Sequence, residues 1–450
     1  MSNRIRCLPL ALIAAASVLL SGPAVLAADL LTLYRGATEQ DPAVAAARAA
    51  LNAARERVTQ AQATQGFAAS LTAGATANYF DNHVRGLPSA VGQVDRGYLA
   101  ASVTAQVTKP LVRTAIQVGI EQAESAVKLA EISLAAAEQD VALRAAQAYF
   151  DVLLAEDNLR LVRAQKAAVS EQLAQARRNF EVGTATIVDT NEAQARFDQV
   201  QAQEIAVGNE LDRARWALRN VVGRYEANLV PLRRDAVVAP PNPQNMEAWV
   251  TRAERDAFSV RLALASLAVT EFEVRRARTG KDWTLDAVAS LTHFQNTGST
   301  ASSRGSWGTS GLVGVQFSMP FDLAGGVDAR IREALANVEK SRNDVEAARR
   351  AAGLAARQAY LGAVSGVASI AAQQQALRSA ETLLASTKVG LEVGVRTNLD
   401  VLNAQQQVTL VQRDLAAARY NAILADLRLR AAAAALAENE IRATNALLGR

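Results

Sequence analysis

Phe180-Glu-Val-Gly-Thr-Ala-Thr-Ile-Val-Asp-Thr-Asn-Glu-Ala-Gln194 and Leu391-Glu-Val-Gly-Val-Arg-Thr-Asn-Leu-Asp-Val-Leu-Asn-Ala-Gln405 carry one pattern twice. Glu181/Glu392, Val182/Val393, Gly183/Gly394, Thr186/Thr397, Asp189/Asp400, Ala193/Ala404 and Gln194/Gln405 are identical at a constant offset of 211 residues. Solenoid repeats have periods of about 20–50 residues, so this is a duplication of half a chain. In each copy the glycine suits the left-handed position just past a helix end, and Thr186 or Thr397 suits the cap of the next helix. The pattern predicts helix, tight turn, helix, with turns at Val182-Gly183-Thr184 and Val393-Gly394-Val395.

The segments before the turns are very long. Arg113 to Phe180 holds no proline and only Gly119 as a breaker, which gives a helix of roughly 68 residues, or about 100 Å. Asp328 to Leu391 is similar. Such lengths indicate coiled-coil-like packing. Leu129, Ile132, Ala136, Val141 and Leu143 start an apolar seam, and Leu153, Leu154, Leu159, Leu161 and Val162 continue it. In the second copy the seam is mostly Ala (347, 348, 351, 352, 355 and 356), which permits shallow, close packing. The returning helices span Ile187 to Val222 and Asn398 to Leu436.

Four stretches upstream alternate with period two. Strands are predicted at about 68–80, 98–109, 283–295 and 308–319, with Pro110 and Pro320 marking each change from strand to helix. Each is about as long as a tilted strand that crosses a bilayer. The connecting segments Asp81–Gly97 and Asn296–Ser306 are polar and Gly- or Ser-rich, like the outer loops of membrane barrels. Tyr79, Phe80, Tyr98, Trp283, Phe294, Trp307 and Phe321 cluster at strand ends, as an interfacial girdle would. A soluble β-sandwich edge is the other reading of the strands alone. His83 and His293 read as surface polar residues, since two isolated histidines make a poor metal set.

Composition agrees. Half of the 450 residues are apolar and only 5% are aromatic. Abundant Ala favours long helices. Arg4 and Arg6, a short apolar run from Leu8 to Leu20, and Val25-Leu26-Ala27 form a secretory signal peptide cleaved after Ala27. Cleavage lowers the net charge from +4 to +2 and removes Cys7, the only cysteine. That excludes disulfides and a thiol active site. Residue 28 is Ala rather than Cys, so no lipid anchor is expected. The weak, scattered positive charge gives no case for nucleic acid. The expected organisation is signal peptide 1–27, first repeat 28–223, connector 224–248 with Pro231, Pro240, Pro241 and Pro243, second repeat 249–437, and a mostly polar C-terminal tail 438–450.

Four strands cannot close a barrel in lipid, where each unpaired backbone group is costly. Copies must pool strands: two give eight and three give twelve, and barrels of either size are known.

Ala148-Tyr149-Phe150-Asp-Val-Leu, Ala164-Gln165-Lys166, Phe180 to Asp189, Leu391 to Asp400, Ala418-Arg419-Tyr420-Asn421 and the Pro110 and Pro320 junctions together form an ordered set. In that set the sequence resembles the TolC family of outer membrane efflux proteins. The resemblance implies a mixed, mostly α fold: a trimer with a twelve-stranded outer-membrane barrel continued by an α-helical barrel through the periplasm. It also implies partners, namely a periplasmic adaptor (membrane fusion) protein and an inner-membrane ABC or proton-driven transporter, and an exit-duct function in type I protein secretion or multidrug efflux. No cofactor or metal is implied. At the closed periplasmic tip the resemblance matches Asp400 to an acidic ring position and puts Asn403 where a second acid stands. It matches Arg396 and Asp189 to a latch between neighbouring hairpins, and puts Leu391 where a supporting Tyr stands.

Two other classes compete. A periplasmic adaptor or coiled-coil tether would not need four spanning-length strands and two hairpins. An enzyme would need a constellation that is missing here: the mature chain has no Cys, two His and no phosphate-binding Gly loop.

Overall fold

A computed structural model describes residues 28–83, 93–184, 186–224, 228–233, 235–299 and 304–449. The expected signal peptide, residues 1–27, and the tips of both strand-connecting loops lie outside the described residues. The chain forms helices α1 (Leu30–Gln40) and α2 (Pro42–Ala63), strands β1 (Ala68–His83) and β2 (Gln93–Val112), then helices α3 (Thr114–Glu181) and α4 (Ile187–Val222). The second repeat restates this order as α5 (Met246–Asp256), α6 (Phe258–Arg278), β3 (Thr284–Asn296), β4 (Ser306–Ser318), α7 (Gly326–Glu392) and α8 (Asn398–Ala432). A final helix, α9, spans Glu438–Asn445.

The long helices have the expected extent: α3 has 68 residues and α7 has 67. Each repeat opens on a pair of helices. Asp41 explains the first break. Its carboxylate accepts from the N–H groups of Ala43 and Val44, and Pro42 occupies the first helical position. At the second break, Ala257 bends between α5 and α6 without a side-chain cap.

The strands form one antiparallel sheet in the order β1-β2-β3-β4. β2 and β3, from different repeats, pair at its centre. Among the described residues the outer edges of β1 and β4 have no partner strand. No described helix is long and apolar enough to cross a membrane.

The largest core lies midway along the helices. Phe150 sits between Tyr149 and Tyr420, with ring centroids 5.4 and 5.8 Å away. The Tyr149 hydroxyl donates to the Val230 carbonyl at 2.6 Å, and that of Tyr420 to Asp157 Oδ2 at 2.7 Å. Two of the motifs that carry the resemblance therefore hold packing and hydrogen-bonding residues. The C-terminal segment, expected as a polar tail, folds back onto this core. Ile441 and Leu448 are buried, Leu448 bridges to Leu232, and Asn445 bonds Asp29 at 2.8 Å.

Candidate functional site: the barrel wall and the hairpin tips

Register determines the two faces of the sheet. Residues directly opposite one another share a face, and the pairs Leu71↔Ala105, Ala105↔Leu291 and Leu291↔Gly311 align one row. The face through that row also carries Ala69, Val107, Ala289 and Val313, and nearer the helices Leu285, Phe317, Ala287 and Val315. It is apolar yet open: Val313 is 88% exposed and Leu71 74%. The opposite face carries Thr72, Thr104, Thr292 and Ser310, with Thr104 and Thr292 bonded at 3.0 Å. An apolar face toward lipid and a polar face toward a lumen is the pattern of a transmembrane barrel wall.

The aromatic girdle is only partly on the lipid side. Tyr79 and Trp307 belong to the apolar face, whereas Phe80, Tyr98 and Phe294 stand on the opposite one. Strand-end position alone does not fix the face, because a shift of one residue reverses it. His293 is on the apolar face near the outer end, where it bonds Thr309 at 2.9 Å.

At the strand-to-helix junction the structure departs from the proline marks. β2 continues through Pro110 to Val112, and the ladder shifts between the two. Proline has no N–H to donate, and the bulge accommodates this. Pro320 lies just beyond β4, and α7 begins at Gly326, where Asp322 accepts from the N–H groups of Val327 and Asp328 at 2.8 and 3.1 Å. The junction is pinned by a pair that sequence reading missed. Arg113 grips Asp286 through two bonds, Nε–Oδ1 at 3.0 Å and Nη2–Oδ2 at 2.6 Å. This forked geometry is the strong form of the ion pair. It ties the start of α3 to the strand of the other repeat.

The two tips are built alike. Thr184 N–H donates to the Asn179 carbonyl at 2.8 Å and Gly183 N–H to Phe180 at 3.0 Å; Val395 donates to Gly390 at 2.8 Å and Gly394 to Leu391 at 3.1 Å. These are paired Schellman turns, and φ of +79° and +80° explains the glycine at 183 and 394. Capping boxes follow. Asp189 N–H donates to Thr186 Oγ1 at 3.2 Å while Thr186 N–H donates to the Asp189 carboxylate at 2.9 Å; Asp400 and Thr397 repeat both bonds at the same distances. Val182, Val393 and Val395 stand exposed at the turns. Asn403 accepts from Arg196 Nη2 of the first hairpin at 2.9 Å. Arg396 and Asp189 do not meet within the protomer: among the described residues, no ion pair to Arg396 is present.

Bonds from Thr186 hold the Asp189 carboxyl below its ordinary value of 3.8, and bonds from Thr397, backbone first, do so for Asp400 with help from Arg396. A depressed carboxyl stabilises the fold above its ordinary value, and that contribution disappears as pH falls through the lower folded value. Hydrogen exchange at both tips, corrected for intrinsic rate, should therefore show steady protection above pH about 4 and falling protection in stronger acid. Protection that stays flat down to pH about 2 would mean that the carboxylates contribute nothing.

Wall and tips together have known counterparts. The model of the outer membrane efflux protein family matches residues 33–224 and again 249–435, one match per repeat. The chain belongs to that family. The outer membrane protein TolC of Vibrio cholerae is 31% identical over 447 residues, covering 98% of each chain. The alkaline protease secretion protein AprF of Pseudomonas aeruginosa is 33% identical over 311 residues, 67% of this chain and 63% of that protein. The proteases secretion protein PrtF of Dickeya chrysanthemi is 29% identical over 428 residues, 94% and 91%. In fold, the outer membrane protein VceC of Vibrio cholerae superposes with a TM-score of 0.71 at 19% identity, over 90% of this chain and 95% of that one. CusC gives 0.73 at 16%, over 91% and 92%. As a member of the outer membrane efflux family the protein is an exit channel and not an enzyme, with strands for an outer-membrane barrel and helices that extend into the periplasm. The adaptor, tether and sandwich-edge readings fall away.

Proposed function

We propose that three copies close a twelve-stranded barrel and that this trimer is the exit duct of a type I protein-secretion system. The observation that carries the trimer is the open sheet. Among the described residues β1 and β4 each present an unpaired edge beside an apolar face, and in lipid such edges must find strands from other copies. Cargo leaves an inner-membrane ABC transporter, passes a periplasmic adaptor docked at the turns of Val182-Gly183-Thr184 and Val393-Gly394-Val395, and crosses the outer membrane without entering the periplasm. Exposed valines at those turns suit a helical or loop partner. Asp400 and Asn403 line the aperture, and Arg396 of one copy reaches Asp189 of the next to hold it closed. The mature chain starts after Ala27, once the signal peptide has been removed.

The names of AprF and PrtF, both protease secretion proteins, support a protein cargo. The efflux protein BepC of Brucella suis, 25% identical over 292 residues, favours the second reading, a multidrug duct serving a proton-driven pump. Deleting the gene separates the two. We expect specific proteins to vanish from the culture medium and to return on complementation. An unchanged secreted set together with raised drug susceptibility would replace secretion with efflux.

A further inference from the structure

One cation stands on the apolar face of the sheet. Lys109 follows Ala105 and Val107 on the same side of β2, opposite Ala287, which in turn is opposite Val315. Among the described strand residues no other Lys or Arg is on that face. The Lys109 ammonium lies 4.7 Å from the centre of the Phe67 ring. Two more aromatic side chains share this end of the face. Phe317 is 60% exposed, and Trp283 packs on it with ring centroids 5.8 Å apart. The carboxylate of the neighbouring strand, Asp286, is on the opposite face and is held by Arg113. Among the described residues Lys109 has no ion-pair partner.

A lysine on a lipid-facing wall is costly at the bilayer midplane and nearly free of cost at the interface. Phe67 and Tyr79 mark the two ends of the face on the first strand, twelve residues apart. At about 3.4 Å per residue and a tilt of about 40° they are separated by about 30 Å of height, the thickness of a hydrocarbon core. Lys109 is level with Phe67, so its ammonium sits at the helix-side boundary of the hydrocarbon, where lipid phosphates begin. Its stem lies along apolar surface while its head reaches the polar layer. Copies join through the hydrogen-bonding edges of their strands, which leaves this face uncovered. We propose that Lys109, steadied by Phe67, binds the phosphate of an anionic glycerophospholipid in the periplasmic leaflet, with the acyl chains along Val107, Ala287 and Val315. The rings fix the depth, and the ammonium selects the charge of the headgroup.

The inference rests on the barrel reading, and its test separates the two. The intact channel is reconstituted into vesicles containing phosphatidylglycerol or phosphatidylcholine with brominated acyl chains, which quench tryptophan in contact with lipid. Trp283 is read in a Trp216→Phe, Trp307→Phe background, where Trp249 remains buried and bonded to the Pro243 carbonyl. Trp307 is read in the matching background that lacks Trp283. We expect phosphatidylglycerol to bind beside Trp283 about fivefold more tightly than phosphatidylcholine. Lys109→Gln should abolish the preference and Lys109→Arg should keep it. Raising salt from about 0.1 M to about 1 M should also erase it in the wild type. A preference absent from the wild type, or one that survives in Lys109→Gln, overturns the proposal. If Lys109→Gln does not assemble, a wild-type preference indifferent to salt overturns it instead. Quenching of Trp307 by both lipids without preference at Trp283 removes the proposal alone. No quenching of either tryptophan removes the barrel reading as well.

Discussion

Val313→Arg is expected to abolish assembly in the outer membrane, while Ser310→Arg, three residues away on the same strand, leaves assembly intact and alters ion selectivity. Val313 stands on the apolar face, opposite Ala289, and is 88% exposed in the single copy. Ser310 is opposite Thr292 on the polar face. An arginine facing lipid near the bilayer centre costs about 2–4 kcal/mol. If three copies share one barrel the cost recurs three times, roughly 6–12 kcal/mol, which is comparable with the whole stability of a typical fold. An arginine facing a watery lumen carries no such cost, and it repels cations along the pore. Membrane fractionation and planar-bilayer reversal potentials read the two outcomes. If Val313→Arg assembled normally and Ser310→Arg did not, the lipid and lumen faces would have been assigned the wrong way round.

The faces could be read from sequence because alternation is a local property. Leu71, Ala73, Ala75 and Tyr79 announce their shared side without reference to anything distant. The tips were equally legible. Glycine at 183 and 394 and threonine at 186 and 397 have conformational and capping preferences that act within four residues, and the duplication states them twice. Long-range pairs carry no such signal. Arg113 and Asp286 lie 173 residues apart, and nothing near either predicts the other. The docked C-terminal helix was hidden because Ile441 stands alone among polar residues and the apolar run Ala446-Leu447-Leu448 is too short to announce burial. The break at Asp41-Pro42 had a readable signature, unlike the one at Ala257, which has neither cap, proline nor glycine.

Arg396→Ser is expected to raise single-channel conductance several-fold without loosening the hairpin. The fold of the tip does not depend on this guanidinium. The Arg396 N–H, which serine retains, donates to the Gly390 carbonyl at 3.1 Å, and the capping box below it belongs to Thr397 and Asp400. What the substitution removes is an exposed cation that acts on Asp400 of its own copy only through its field and, among the described residues, makes no ion-pair contact there. Asp189 is already bonded to Thr186, but an ionised carboxylate has about four acceptor positions and can take an arginine from a neighbour as well. Exposed ion pairs contribute about 0–1 kcal/mol each. Three of them around an axis at about 0.5 kcal/mol total roughly 1.5 kcal/mol, close to the 1.4 kcal/mol that changes a population tenfold. That magnitude suits a latch: enough to keep most channels shut, and little enough for a docking partner to overcome. Salt should weaken the wild-type closure and leave Arg396→Ser nearly unaffected, because screening acts on a pair the variant lacks. A variant with wild-type conductance at both low and high salt would show that some other contact holds the aperture closed.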